Sequence, residues 1–128
     1  MVNIAKHIPY WRDGAMEDLL VARDLIDSGK IRHGLFFAHL ALEKILKANV
    51  CRATKDLAPP IHNLVRLSER AGLTLSQEHT DILADVNEFN IEGRYPELLL
   101  PRPSMNEAKT YMKRIEEVFK WLSRELER

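Results

Sequence analysis

Cysteine is nearly missing from this chain: Cys51 is the only one in 128 residues. That excludes an intrachain disulfide and any zinc site built on thiolates. Glycine (5) and proline (6) are also sparse, which excludes collagen-like and low-complexity architectures. No run approaches the roughly 18 apolar residues of a membrane span. The opening residues, Met-Val-Asn-Ile-Ala-Lys-His, lack the apolar stretch of a signal peptide. A reducing, cytoplasmic location without membrane attachment is the expectation. The five histidines (His7, His33, His39, His62, His79) form no HExxH pattern, and no carboxylates cluster at metal spacing. The chain also lacks a Gly-rich phosphate loop and a GxSxG elbow. No metal and no cofactor are expected.

Charge of one sign is missing too. Nineteen Lys and Arg balance nineteen Asp and Glu, so no global field draws the chain onto nucleic acid or an anionic membrane. The balance is local in neither half. Residues 30–55 hold six basic side chains (Lys30, Arg32, Lys44, Lys47, Arg52, Lys55) and one acid, Glu43. Residues 76–92 hold five acids (Glu78, Asp81, Asp85, Glu88, Glu92) and no Lys or Arg. Two readings follow: helices whose charged faces are solvated or complement each other, or a basic surface built around residues 30–55.

What is present is an ordinary globular composition, 45% hydrophobic, at a length that fits one domain. We take residues 1–128 as that domain, with a core from about residue 10 to 127. Helical periodicity runs throughout. Trp11, Ala15, Leu19, Ala22 and Ile26 draw one apolar stripe over residues 10–28, and Gly29 is a natural stop. A second helix, about residues 31–53, is apolar around much of its girth: Leu35, Phe36, Phe37, Leu40, Leu42, Ile45, Leu46, Val50. Such a helix is central or contacts a partner subunit. Pro59-Pro60 breaks the chain. A short third helix is expected over residues 61–70, ending before Gly72. A fourth begins near Ser76, with Glu78 in its first turn and Ile82, Leu83, Val86 and Phe89 on its buried side. Residues 92–103, with Gly93, Pro96, Pro101 and Pro103, read as a loop. Ser104-Met-Asn-Glu107 is a capping box. Behind it Met105, Ala108, Met112, Ile115, Phe119, Leu122 and Leu126 recur in steps of 3 and 4. The fold predicted is all-α: an antiparallel up-and-down bundle with four long helices and one short one.

Chemistry-bearing residues are few. Arg32, His39 and Glu43 fall near one line of the second helix, and His39 and Glu43 are an i, i+4 pair. They read as an acid/base His with a phosphate-anchoring Arg, or as a polar stripe among apolar neighbours. His62, after the two prolines, either ties its loop to the second helix or faces a pocket. Arg94 and Tyr95 precede Pro96; Arg grips phosphate bidentately and Tyr stacks on bases. The bland alternative is a salt bridge and a loop anchor. Cys51 is expected to be buried.

Three stretches, in order, carry a resemblance. They are Phe-Phe-Ala-His-Leu-Ala-Leu-Glu-Lys-Ile-Leu-Lys-Ala at 36–48, Pro-Ile-His-Asn-Leu at 60–64, and Phe-Asn-Ile-Glu-Gly-Arg-Tyr-Pro at 89–96. Together they resemble the HEPN (higher eukaryotes and prokaryotes nucleotide-binding) family over about residues 10–127, in its small stand-alone prokaryotic type. The resemblance implies a helical bundle that forms a homodimer. It also implies a minimal nucleotidyltransferase as partner in a toxin–antitoxin pair. Many HEPN proteins are metal-independent ribonucleases that use an Arg followed four to six residues later by His. Arg94 stands at the Arg position, but Leu98, Leu99, Leu100 and Pro101 follow it, and no His does. His39 or His62 would have to supply the base. The expectation is a dimeric module that binds nucleotide or RNA through Arg94, Tyr95, His62, Arg32, Lys44 and Lys47. The alternatives are a ribonuclease with Arg94 and His39 as catalytic groups, and a purely structural dimerisation domain.

Overall fold

The computed structural model describes the backbone of residues 3–94 and 103–128, and the side chains of all these except 91–94. Five α-helices follow one another, α1 Ile4–Asp27, α2 Ile31–Thr54, α3 Leu64–Arg70, α4 Gln77–Arg94 and α5 Met105–Glu125. No strand occurs among the described residues. The predicted all-α bundle with one short helix is the observed architecture.

The helix limits follow local chemistry. α1 starts six residues earlier than the apolar stripe suggested. Asn3 caps it, its side chain accepting a hydrogen bond from the Ala5 amide, and Pro9 is carried inside the helix. A proline there removes one backbone bond and crowds the preceding turn; the long packed helix behind it absorbs the cost. At the other end Gly29 takes the left-handed conformation, φ +84°. The amides of Gly29 and Lys30 then bond back to the carbonyls of Ile26 and Leu25, a Schellman closure. α3 starts three residues later than expected because Asn63 is its cap, with the side-chain oxygen accepting from the Arg66 amide. Ser76 caps α4 as expected, accepting from the His79 amide at 3.1 Å. α4 runs on through Arg94, so residues 92–94 are helical rather than loop. The remainder of that expected loop, 95–102, lies outside the described residues. The capping box of α5 is complete: Ser104 Oγ accepts from the Glu107 amide, and Glu107 accepts from the Ser104 amide.

α2 is the central element and packs against each of the other four helices. Leu35, Leu42, Ile45, Leu46 and Cys51 are all sealed from solvent. α1 lies closely along it through Ala15, Leu19, Ala22 and Ile26. Gly34 permits that approach: a Cβ there would fall inside the Ile26 side chain and 3.0 Å from the Ala22 carbonyl oxygen. α5 contributes Ala108, Met112, Ile115, Phe119 and Leu122, as its spacing predicted, and also Val118. Met105 and Leu126, the ends of that seam, are only partly buried. Asn49 of α2 bonds across to the Leu122 carbonyl at 3.2 Å, and Asn87 of α4 accepts from the Leu64 amide at 2.8 Å. Both prevent a buried polar group from going unpaired.

Candidate functional site

One polar line interrupts the apolar girth of α2. His39, Glu43 and Lys47 are spaced four residues apart, so their side chains stack along one face. All three are buried, which is unusual for charged groups and tolerable only with partners at hand. Lys47 Nζ donates to Glu43 Oε2 at 3.1 Å. The same ammonium sits 5.3 Å from the ring centroid of Trp11 on α1, a cation–π contact. Glu43 also accepts from His62 Nδ1, which is 3.1 Å from both carboxylate oxygens. His39 Nδ1 lies 3.8 Å from Glu43 Oε1, within Coulomb range and beyond hydrogen-bond reach.

The partners fix the histidine tautomers. His39 Nε2 is 3.1 Å from the His62 carbonyl oxygen. A carbonyl only accepts, so Nε2 carries the proton. The carboxylate oxygens of Glu43 accept, so His62 Nδ1 carries the proton of that bond and Nε2 is the ring's other nitrogen. His62 is thus held twice, by its carbonyl on His39 and by its ring on Glu43. Its side chain stays half exposed, at 52%, whereas His39 is 1% exposed. The loop-tying geometry considered from the sequence is present, and it leaves one edge of the His62 ring toward solvent.

The remaining sequence candidates divide. Lys44, beside this line on α2, is paired with Asp18 of α1 at 2.7 Å. Lys44 and Lys47 both meet acids inside the protein, so residues 30–55 present less free positive charge than their sequence suggests. Arg32 lies two turns before His39 on α2, half-buried. Arg94 is the last residue of α4; its side chain, and Tyr95, lie outside the described residues. Phe36, Phe37 and Leu40, the apolar residues behind the expected homodimer, are each partly buried within the single chain.

Two roles escaped the sequence reading, which named Lys47 only as a ligand contact. Lys47 is i+4 to Glu43, a spacing that signals an ion pair. Trp11 counted only as part of an apolar stripe, and nothing local links it to Lys47. Among the described residues no group of three or more His, Cys, Asp or Glu can hold a metal ion. No described helix is long and apolar enough to cross a membrane.

The fold matches solved structures. The crystal structure of TT1696 from Thermus thermophilus aligns with a TM-score of 0.78 and 17% identity, covering 92% of this chain and 97% of that one. The crystal structure of ST0689, an archaeal HEPN homologue, aligns with a TM-score of 0.72 and 16% identity, covering 93% and 97%. At such identities the likeness speaks for the fold. Comparison with curated proteins gives no match. The family model of the HEPN domain matches residues 8–126, nearly the whole chain, and the protein therefore belongs to the HEPN domain family.

Proposed function

We propose that this HEPN protein is a binding module. It works as a homodimer paired with a minimal nucleotidyltransferase in a toxin–antitoxin arrangement, and it holds nucleotide or RNA in a polar pocket beside His62. Arg94, Tyr95 and Arg32 join His62 in contacting the ligand. Lys44 and Lys47 act from behind, Lys47 by holding Glu43 in place. The observation that carries this reading is the engagement of His39: buried, with Nε2 bonded to a backbone carbonyl, it holds the loop and is badly placed to move protons. The site keeps one solvent-facing imidazole, rigidly aimed, which suits recognition of a phosphate or base edge.

A ribonuclease reading has one observation in its favour. A carboxylate that fixes the Nδ1–H of an exposed imidazole is the arrangement of a general base, and Glu43–His62 has it. His62, not His39, is then the base, with Arg94 on the scissile phosphate. One experiment separates the two. Total RNA is incubated with the protein in EDTA beside His62→Ala and Arg94→Ala, and binding of ATP and a short RNA is titrated by calorimetry. Saturable binding that falls about tenfold or more in both variants, without RNA cleavage, supports the module. Cleavage abolished by either substitution replaces it with the ribonuclease. Binding that both variants retain overturns the site.

A further inference from the structure

Among the described residues nothing covers the outward side of α1, and that side has a defined chemistry. Its core side is Ala15, Leu19, Ala22 and Ile26. Opposite them, Tyr10 is 69% and Leu20 52% exposed, with Met16 and Val21 also open. These are four of the five large exposed apolar side chains among the described residues. At 100° per residue they span an arc of about 140°. Asp13, Glu17, Asp24 and Asp27 fall within that arc, all exposed, and Lys6 in the first turns is the one Lys or Arg of α1 that does. Arg12 and Arg23 flank it on one edge. Arg23 turns away to Glu116 of α5 at 3.0 Å, and Arg12 reaches Asp13 at 3.3 Å.

A cleft of about 320 Å³ opens at one end of this face, lined by Tyr10, Trp11, Asp13, Gly14, Glu17 and Lys44. Tyr10 and Trp11 meet edge to face, with centroids 5.3 Å apart. Lys44 is paired with Asp18 and Asp13 with Arg12, so the charge at the mouth that remains for a ligand is chiefly that of Glu17. Aromatic edges beside carboxylates suit a guanidinium or ammonium group on an aliphatic stem.

We propose that this face docks a basic amphipathic segment of a different protein, whose apolar side covers Met16, Leu20 and Val21 and whose Lys or Arg enters the Tyr10–Trp11 cleft. Charge selects the occupant. A second copy pairing α1 on α1 sets acid against acid along the helix, whereas a segment with Lys and Arg beside its apolar stripe meets opposite charge at each step. Met16, Leu20 and Val21 lie opposite the core side of α1, while the cleft borders α2 at Lys44. The inference goes beyond the nucleotide or RNA site and does not depend on it.

The test uses the full chain and a fluorescently labelled helical peptide of about 18 residues with an amphipathic Leu/Lys pattern, read by anisotropy. A Leu/Glu peptide of the same pattern is the control. The Leu/Lys peptide is expected to bind, more weakly as salt rises, and about tenfold more weakly to Leu20→Asp. Glu17→Lys with Asp24→Lys is expected to reverse the preference toward the Leu/Glu peptide. These positions are exposed, so circular dichroism should show both variants folded, and their nucleotide and RNA binding should match the wild type. Equal binding of both peptides, or no effect of either variant, overturns the proposal. So does light scattering in which Leu20→Asp turns a dimer into a monomer, which would assign the face to a second copy.

Discussion

Glu43 neutralises Lys47 and orients His62, so its removal strands a buried ammonium and frees a loop at once. Breaking one side of a buried pair costs about 3–5 kcal/mol, because the remaining charge keeps its desolvation penalty. Glu43→Gln is expected to lower unfolding stability in urea by roughly that amount. Lys47→Met removes the stranded charge, and Glu43→Gln with Lys47→Met should lose less than the sum of the single losses. Strict additivity in this cycle would show that the pair does not couple. The His39–Glu43 relation was legible in the sequence, because i, i+4 spacing fixes neighbours on any helix. The internal use of Lys44 and Lys47 was only partly so. Asp18 and Trp11 lie on another helix, and a count of charges along the chain does not see across a helix contact.

At the scale of the helix, packing and caps decide. Gly34 sits where α1 and α2 approach most tightly among the glycines of α1 and α2. Gly34→Ala gains up to about 1 kcal/mol of helix propensity. It loses about 1–3 kcal/mol to overpacking, because one obstacle is a backbone carbonyl. A net loss is expected in urea unfolding, and Ile26→Ala, which removes the Cγ1 in the way of the new Cβ, should cost less in the Gly34→Ala background than alone. Lys55 closes α2 in the left-handed conformation, φ 56°, which a side chain disfavours. Lys55→Gly is expected to raise stability by about 1 kcal/mol. In α5 the bonds from Ser104, backbone first and then side chain, hold the Glu107 carboxyl below its ordinary pKa. A lowered folded-state pKa stabilises above the unfolded value, and that contribution fades as pH falls through the folded one. The Tm difference between wild type and Glu107→Gln should therefore shrink as the pH drops from about 5 to about 3. This cap was readable because Ser-x-x-Glu is contiguous. The true start of α1 was not, because Pro9 masks the helix that Asn3 begins. The end of α4 was misread because Gly93 suggested a turn where the helix continues.

For the molecule as a whole, α2 is the axle on which the bundle is assembled. Cys51 lies in it, sealed from solvent as the sequence reading expected, and burial pushes its thiol pKa up, with Asp56 adding to the rise. The thiol is expected to stay unreactive to a disulfide reagent in the native protein. One equivalent should react once denaturant opens the bundle, at a rate that follows global unfolding. Fast labelling in buffer would mean that α2 opens locally. Helix number, order and central element were all legible, because 3.6-residue periodicity is local information. The way His62 grips α2 was open between two readings, since it depends on a loop whose path is set by contacts far along the chain. The position of α2 also has a temporal side. Translation releases it well ahead of α5, about 70 residues later, at roughly 5–20 residues per second. For some seconds a helix greasy on nearly every side waits with only α1, and then α3 and α4, to cover it. The tight α1–α2 hairpin is thus also a shield for the nascent chain, and substitutions that loosen it should lower soluble yield before they affect the finished protein.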